Sequence, residues 1–141
     1  MMKPGTVRIF IAILTGFVAL TAIAGGTAIL IGADQFPLEW LPETPFTSYT
    51  IPALILAIAV GGSALVATVL LFAAPRSGIY AAMVAGMILT GYVVVEVLIL
   101  KQVPPGPTPI ELFYIAIGFI TTGLAFSLRK FERQLISSDP E

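Results

Sequence analysis

Four stretches of this chain carry no charged residue over a length that can cross a lipid bilayer, and that feature limits the fold more than any other. They cover residues 9–33, 44–75, 77–95 and 112–128. Three of them fall within the roughly 17–25 residues that a tilted helix needs to traverse hydrocarbon, and the run over 44–75 exceeds it. The expected fold is all-α, an integral membrane four-helix bundle built from antiparallel hairpins. The spans are expected at 8–32, 51–74, 78–100 and 109–130, with a tail over 131–141. Four spans of about 20 residues use most of the sequence, which predicts one domain over 1–141.

Local chemistry sets the boundaries. TPIE, from Thr108 to Glu111, is a capping box with Pro109 at the first helical position, so the fourth helix is expected to start there. Pro52 shortly after Thr50 marks the start of the second helix. APRSG (74–78) has room only for a tight turn, which makes helices two and three a hairpin.

Lys3, Arg8, Arg76, Arg129, Lys130 and Arg133 fall on one side of this arrangement and Lys101 on the other. The excess of basic residues places both termini and the Arg76 turn in the cytoplasm. Arg129, Lys130 and Arg133, on a helical extension LRKFERQLI (128–136), are expected at anionic headgroups. The first external loop, FPLEWLPETPF (36–46), interleaves apolar residues with two acids. Phe36, Trp40 and Phe46 are expected as interfacial anchors of a short segment strapped over the outer end of the bundle. Ala22 and Ala24 in TAIAGG resemble a signal-peptidase site. The apolar run continues to Ile31, beyond the about 7–15 residues of a signal h-region, so the expectation is an uncut first span.

Composition removes several function classes. With 57% hydrophobic and 11% charged residues, water is not the main solvent of this chain. It contains neither Cys nor His. That removes thiol exchange, thiolate and imidazole metal sites, bis-imidazole haem ligation and the commonest general base near neutral pH. No metal, no cofactor and no catalytic residue is expected. A net charge of −1 without a basic cluster gives no reason to expect nucleic acid. The expected partners are the lipid bilayer and either another membrane protein or further copies of this chain.

Lipid tails are as apolar as Leu, so helices in a membrane associate through small residues that let backbones approach. Each span has such a seam: Ala12, Gly16, Ala24 and Ala28 with Gly25 and Gly26; Ala53, Ala57 and Gly61; Gly78, Ala82, Gly86 and Thr90; Gly118 and Thr122. One carboxylate interrupts the apolar pattern. Glu96 in GYVVVEVLIL (91–100) shares a helix face with Gly78, Ala82, Ala85, Leu89 and Tyr92, and so faces protein. It lies five residues before Lys101, about 7.5 Å along a helix and near the outer interface. Tyr92, Tyr114 and Thr27 are the expected hydrogen-bonding partners of a structural Glu96, and Glu111 is its one like-charged neighbour. The other reading is a carboxylate that takes up a proton or cation.

The segments TPFTSYTIPALILAIAVGGS (44–63), GYVVVEVLIL (91–100) and PIELFYIAIGFITTGLA (109–125) resemble those of small four-span bacterial inner-membrane proteins to which no activity is assigned. The resemblance implies a four-helix fold in that membrane and transfers no catalytic residue. Small multidrug transporters also pair four spans with a membrane carboxylate. Theirs lies in the first helix, where this chain has no acid. The leading expectation is a non-enzymatic accessory subunit or small scaffold of the bacterial inner membrane. The alternative is a small proton- or cation-coupled transporter, or a channel-forming oligomer, that uses Glu96.

Overall fold

The computed structural model describes residues 3–33, 38–42, 44–45, 47–100 and 107–138, with side chains as far as 134. Four long helices account for nearly all of it: α1 (Pro4–Leu30), α2 (Thr50–Ala73), α3 (Pro75–Ile99) and α4 (Pro109–Ser138). A single 3-10 turn, Leu38–Trp40, lies between α1 and α2, and there is no strand among the described residues. All four helices are long and apolar enough to cross a membrane.

Helix ends follow residue chemistry, in places more tightly than expected. α1 begins at Pro4, earlier than 8, because Lys3 is extended and the proline supplies the first helical φ. It stops at Leu30. Gly32 takes φ 80°, the Ala33 N–H donates to the Ala28 carbonyl at 2.9 Å and the Gly32 N–H to Ile29 at 3.2 Å. This is a Schellman end, for which glycine is suited because it lacks a Cβ.

The link from α2 to α3 is shorter than the turn expected over 74–78. Ala74 alone is non-helical, at φ −145° and ψ 78°, and Arg76, Ser77 and Gly78 already belong to α3. Gly78 makes this possible, since a Cβ there would lie 2.5 Å from the Leu71 nitrogen and 2.6 Å from the Leu70 carbonyl carbon. α4 starts at Pro109 as its capping box predicts. Its C-terminal part runs on through LRKFERQLI to Ser138.

Each helix packs against the next in sequence and α4 returns to α1, while α2 and α4 stay on opposite sides. Within neighbouring pairs, residue numbers rise along one helix as they fall along the other. Gly26 meets Ala53 and Ala57, Gly61 meets Ile23, and Gly16 faces Thr68. Across α3 and α4, Gly86 lies against Gly118 and Thr122, and Gly118 against Thr90. The expected seams therefore carry most of the close contacts. Ala24 is the exception: it is exposed, because the contact face of α1 passes through Ala22 and Gly26.

The interior has two apolar layers. One joins Ile11, Ala67, Leu71, Ile79, Ala82 and Ala125 near the α2–α3 link. The other, further along, joins Val18, Ala22, Val60, Ala64, Leu89 and Ile117. A Thr15–Thr68 hydroxyl pair at 2.8 Å ties α1 to α2 near their junction. At the end holding the basic residues, Arg8 pairs with Glu132 at 3.1 Å. There the Arg129 Nε–H donates to the Tyr80 hydroxyl at 3.1 Å while its guanidinium lies over the Tyr80 ring. Lys130 and Arg133 are exposed.

Candidate functional site: a carboxylate-lined chamber

At the opposite end, the α1–α2 and α3–α4 pairs part and leave a cavity of about 630 Å³. All four helices and the first connection contribute to its wall. Its surface is mostly aliphatic and aromatic, and two carboxylates, Glu96 and Glu111, face into it.

Glu111 is held firmly. As third residue of α4 it reaches back to Thr108, accepting the backbone N–H at 2.9 Å and the hydroxyl at 2.7 Å through one oxygen. In the usual capping box the threonine hydroxyl accepts from the helix instead. Here the hydroxyl donates to the acid, so this cap also orients a carboxylate on the chamber wall. Glu111 is 7% exposed.

Glu96 projects from the last turns of α3 and is half-buried. Its position relative to small residues is the expected one; its surroundings are not. The Tyr92 hydroxyl donates to the Pro52 carbonyl at 3.2 Å, and so links α3 to α2 instead of reaching Glu96. Thr27 is exposed and does not line the chamber, because Gly26 beside it occupies the face of α1 that meets α2. Tyr114 does line the chamber. Its ring stacks on Phe17 with centroids 6.3 Å apart and meets Phe113 edge-on at 5.5 Å, bridging α1 and α4. Among the described residues no hydrogen bond reaches the Glu96 carboxylate, so its oxygens are left to the chamber.

The first connection closes part of the chamber. Trp40 and Leu41 both line it, and Leu41 is 4% exposed. The backbone N–H of Leu41 bonds to Leu38 and its carbonyl accepts from Thr44, which fixes this strap as a compact turn. Phe36 and Phe46, the other expected anchors, lie outside the described residues, as does Lys101. Tyr49, just before α2, also lines the chamber. Burial pushes its phenol above the ordinary value and the Glu96 charge pushes it further the same way.

One backbone feature has no counterpart in the sequence reading. Ile55–Val60 of α2 is π-helical, and Ile55, Leu56 and Val60 from it line the chamber. Such one-turn widenings are enriched at functional sites. ILAIAV is ordinary span sequence, so residue types give no warning of it. Leu41, Thr44 and the Pro52 carbonyl were also missed, since each reaches the chamber through a loop or backbone geometry that periodicity does not encode. Among the described residues no group of three acidic, His or Cys side chains is placed to hold a metal ion.

No protein-family model, curated protein or solved structure matches the chain. The class that fold and site define is thus an all-helical protein with four span-length apolar helices around an acidic, aromatic chamber.

Proposed function

We propose that this chain is a non-enzymatic, multi-pass protein of the bacterial inner membrane, an antiparallel four-helix bundle with both termini in the cytoplasm. In this reading Glu96 takes up and releases a proton or cation as part of small-scale coupled transport. Membrane insertion is supported by the outer surface, where Ile13, Leu20, Ile58, Met87, Leu98 and Phe119 are all more than 60% exposed. An apolar shell of this extent is unsuited to water. The orientation rests on the basic residues gathered at one end. The transport reading is carried by one observation: the Glu96 carboxylate lines the chamber and no described donor hydrogen-bonds to it.

A buried carboxylate that only holds helices together is normally saturated with donors. One left to a cavity exchanges its proton or counter-ion with whatever enters. Reconstituted vesicles under an imposed pH gradient test this. Wild-type protein is expected to carry Glu96-dependent flux that Glu96→Gln abolishes while remaining folded. Equal flux in both would sink the reading.

A second reading, the accessory subunit or small scaffold, is favoured by Gly62 and Gly123. A Cβ at either would meet nothing within 4 Å, so the outer faces of α2 and α4 offer room for another helix to approach closely. Crosslinking in native membranes, followed by mass measurement, would show either a partner or a homo-oligomer. A monomer alone would remove this option.

A further inference from the structure

We infer that the chamber is a binding site for a lipophilic organic cation, an amine or quaternary ammonium with an apolar body. Its charge would be set against Glu96 and Glu111 and its body against Trp40, Tyr92 and Tyr114. This rests on the proposed reading of Glu96 as a working group and names what that group works on.

Three observations select the ligand class. First, size: about 630 Å³ is within the roughly 300–1,000 Å³ typical of pockets that enclose organic ligands, and far larger than a proton or bare metal ion requires. Second, wall chemistry: a hard inorganic cation gives up hydration only to a dense set of oxygen ligands. Here two carboxylates stand in a largely aliphatic and aromatic wall. Alkylated ammonium ions are weakly hydrated, gain by burying their carbon skeleton, and are attracted to the faces of indole and phenol rings.

Third, sign: no Lys or Arg among the described residues lines the chamber, and the charged groups that do are Glu96 from α3 and Glu111 from α4. Anions, phospholipid phosphates among them, are therefore disfavoured. Fixing Glu111 through Thr108 holds that carboxyl group in one position on the wall whatever Glu96 is doing.

The chain contains a single Trp, and it is the one in the chamber wall, so intrinsic fluorescence reports occupancy directly. The experiment titrates detergent-purified full-length protein with benzyltributylammonium, and in parallel with an uncharged benzyl ether of equal size. The expected result is a saturable change in Trp40 emission with the ammonium, and none with the ether. Glu96→Gln should weaken binding roughly tenfold or more, since it removes one of two charges from a low-dielectric site. Glu132→Gln removes an acid at the opposite end of the bundle, outside the chamber wall, and should retain binding within about twofold.

A similar response to ammonium and ether, or unchanged affinity in a folded Glu96→Gln protein, would overturn the inference and make the chamber a general lipophile pocket. If no ammonium binds while Glu96-dependent proton flux persists, the ligand class is wrong and the proposed function stands. If both are missing, both fall.

Discussion

The two ends of this molecule are built from the same helices and nearly the same residue types, yet one is closed and the other holds a chamber. At the closed end Gly78 lets the backbone of α3 rest on Leu70 and Leu71 of α2, and Ile11, Leu71 and Ile79 are buried almost completely around it. At the other end the tight contacts stay within pairs, Gly26 with Ala53 and Ala57, Gly86 with Gly118. Between the pairs stand larger groups, Leu56, Tyr92 and Tyr114, joined across α2 and α3 by the Tyr92–Pro52 hydrogen bond. In lipid there is little hydrophobic drive to close such a gap. The placement of glycine relative to the pairs therefore bears on where space remains, and Glu96 and Glu111 line that space.

The largest expected effect comes from breaking the closed end. Gly78→Ala sets a methyl against backbone that cannot move aside, at an expected cost of about 3 kcal/mol in thermal unfolding in detergent. Gly62→Ala, in open space on α2, should be neutral or slightly stabilising. Similar melting of the two variants would remove the distinction between the ends.

Next in size is the link across the open end. Tyr92→Phe deletes the hydroxyl that bonds Pro52, and interhelical hydrogen bonds in membranes average about 0.6 kcal/mol. Stability should fall by that order, and hydrogen exchange should rise in residues 50–60 more than near Leu71. Uniform loosening would show that Tyr92 does not tie the pairs together.

A smaller effect is expected at Glu96. Its carboxylate has no described hydrogen bond to lose, so Glu96→Leu should leave the melting temperature unchanged or slightly raised. This reverses the expectation for a structural Glu96 bonded to Tyr92, Tyr114 or Thr27, in which leucine would strand those partners. A clear loss of stability would restore that structural role.

The smallest effect is on Tyr49. Burial and the Glu96 charge both hold its phenol above the ordinary 10. Its folded form thus keeps the proton more firmly, and the contribution to stability is full below 10 and is lost as pH rises through the folded value. Glu96→Gln removes the second cause, so alkaline absorbance titration should show the Tyr49 midpoint move down while burial keeps it raised. No movement would mean that the two groups do not sense each other.

Much of the helix framework was legible in the sequence, because it is built from signals local to a helix. Charge-free runs give the four helices, TPIE gives the start of α4, and small residues four apart give the faces on which Gly86, Gly118 and Gly61 meet their neighbours. The chamber was only partly legible. Glu96 and Tyr114 both line it, but the hydrogen bond expected between them is not among those described. The Tyr92 hydroxyl donates to a backbone carbonyl of α2, and the depth and facing of Thr27 depend on how α1 rotates about Gly26. Such outcomes depend on the relative rotation and separation of helices, which no single helix encodes. The π-helical stretch and the inward fold of Trp40 and Leu41 are of the same kind.

The single residue joining α2 to α3 also limits how the protein can move. Ala74 spans at most about 3.6 Å of chain, less than the 5.4 Å pitch of one helical turn. α2 therefore cannot slide past α3 by a turn without unwinding one of them. Relative motion of the two helix pairs is confined to swinging about that end. A swing about Ala74 displaces atoms in proportion to their distance from it, so it leaves Leu71 and Ile79 almost still and moves Pro52 and Glu96 much further.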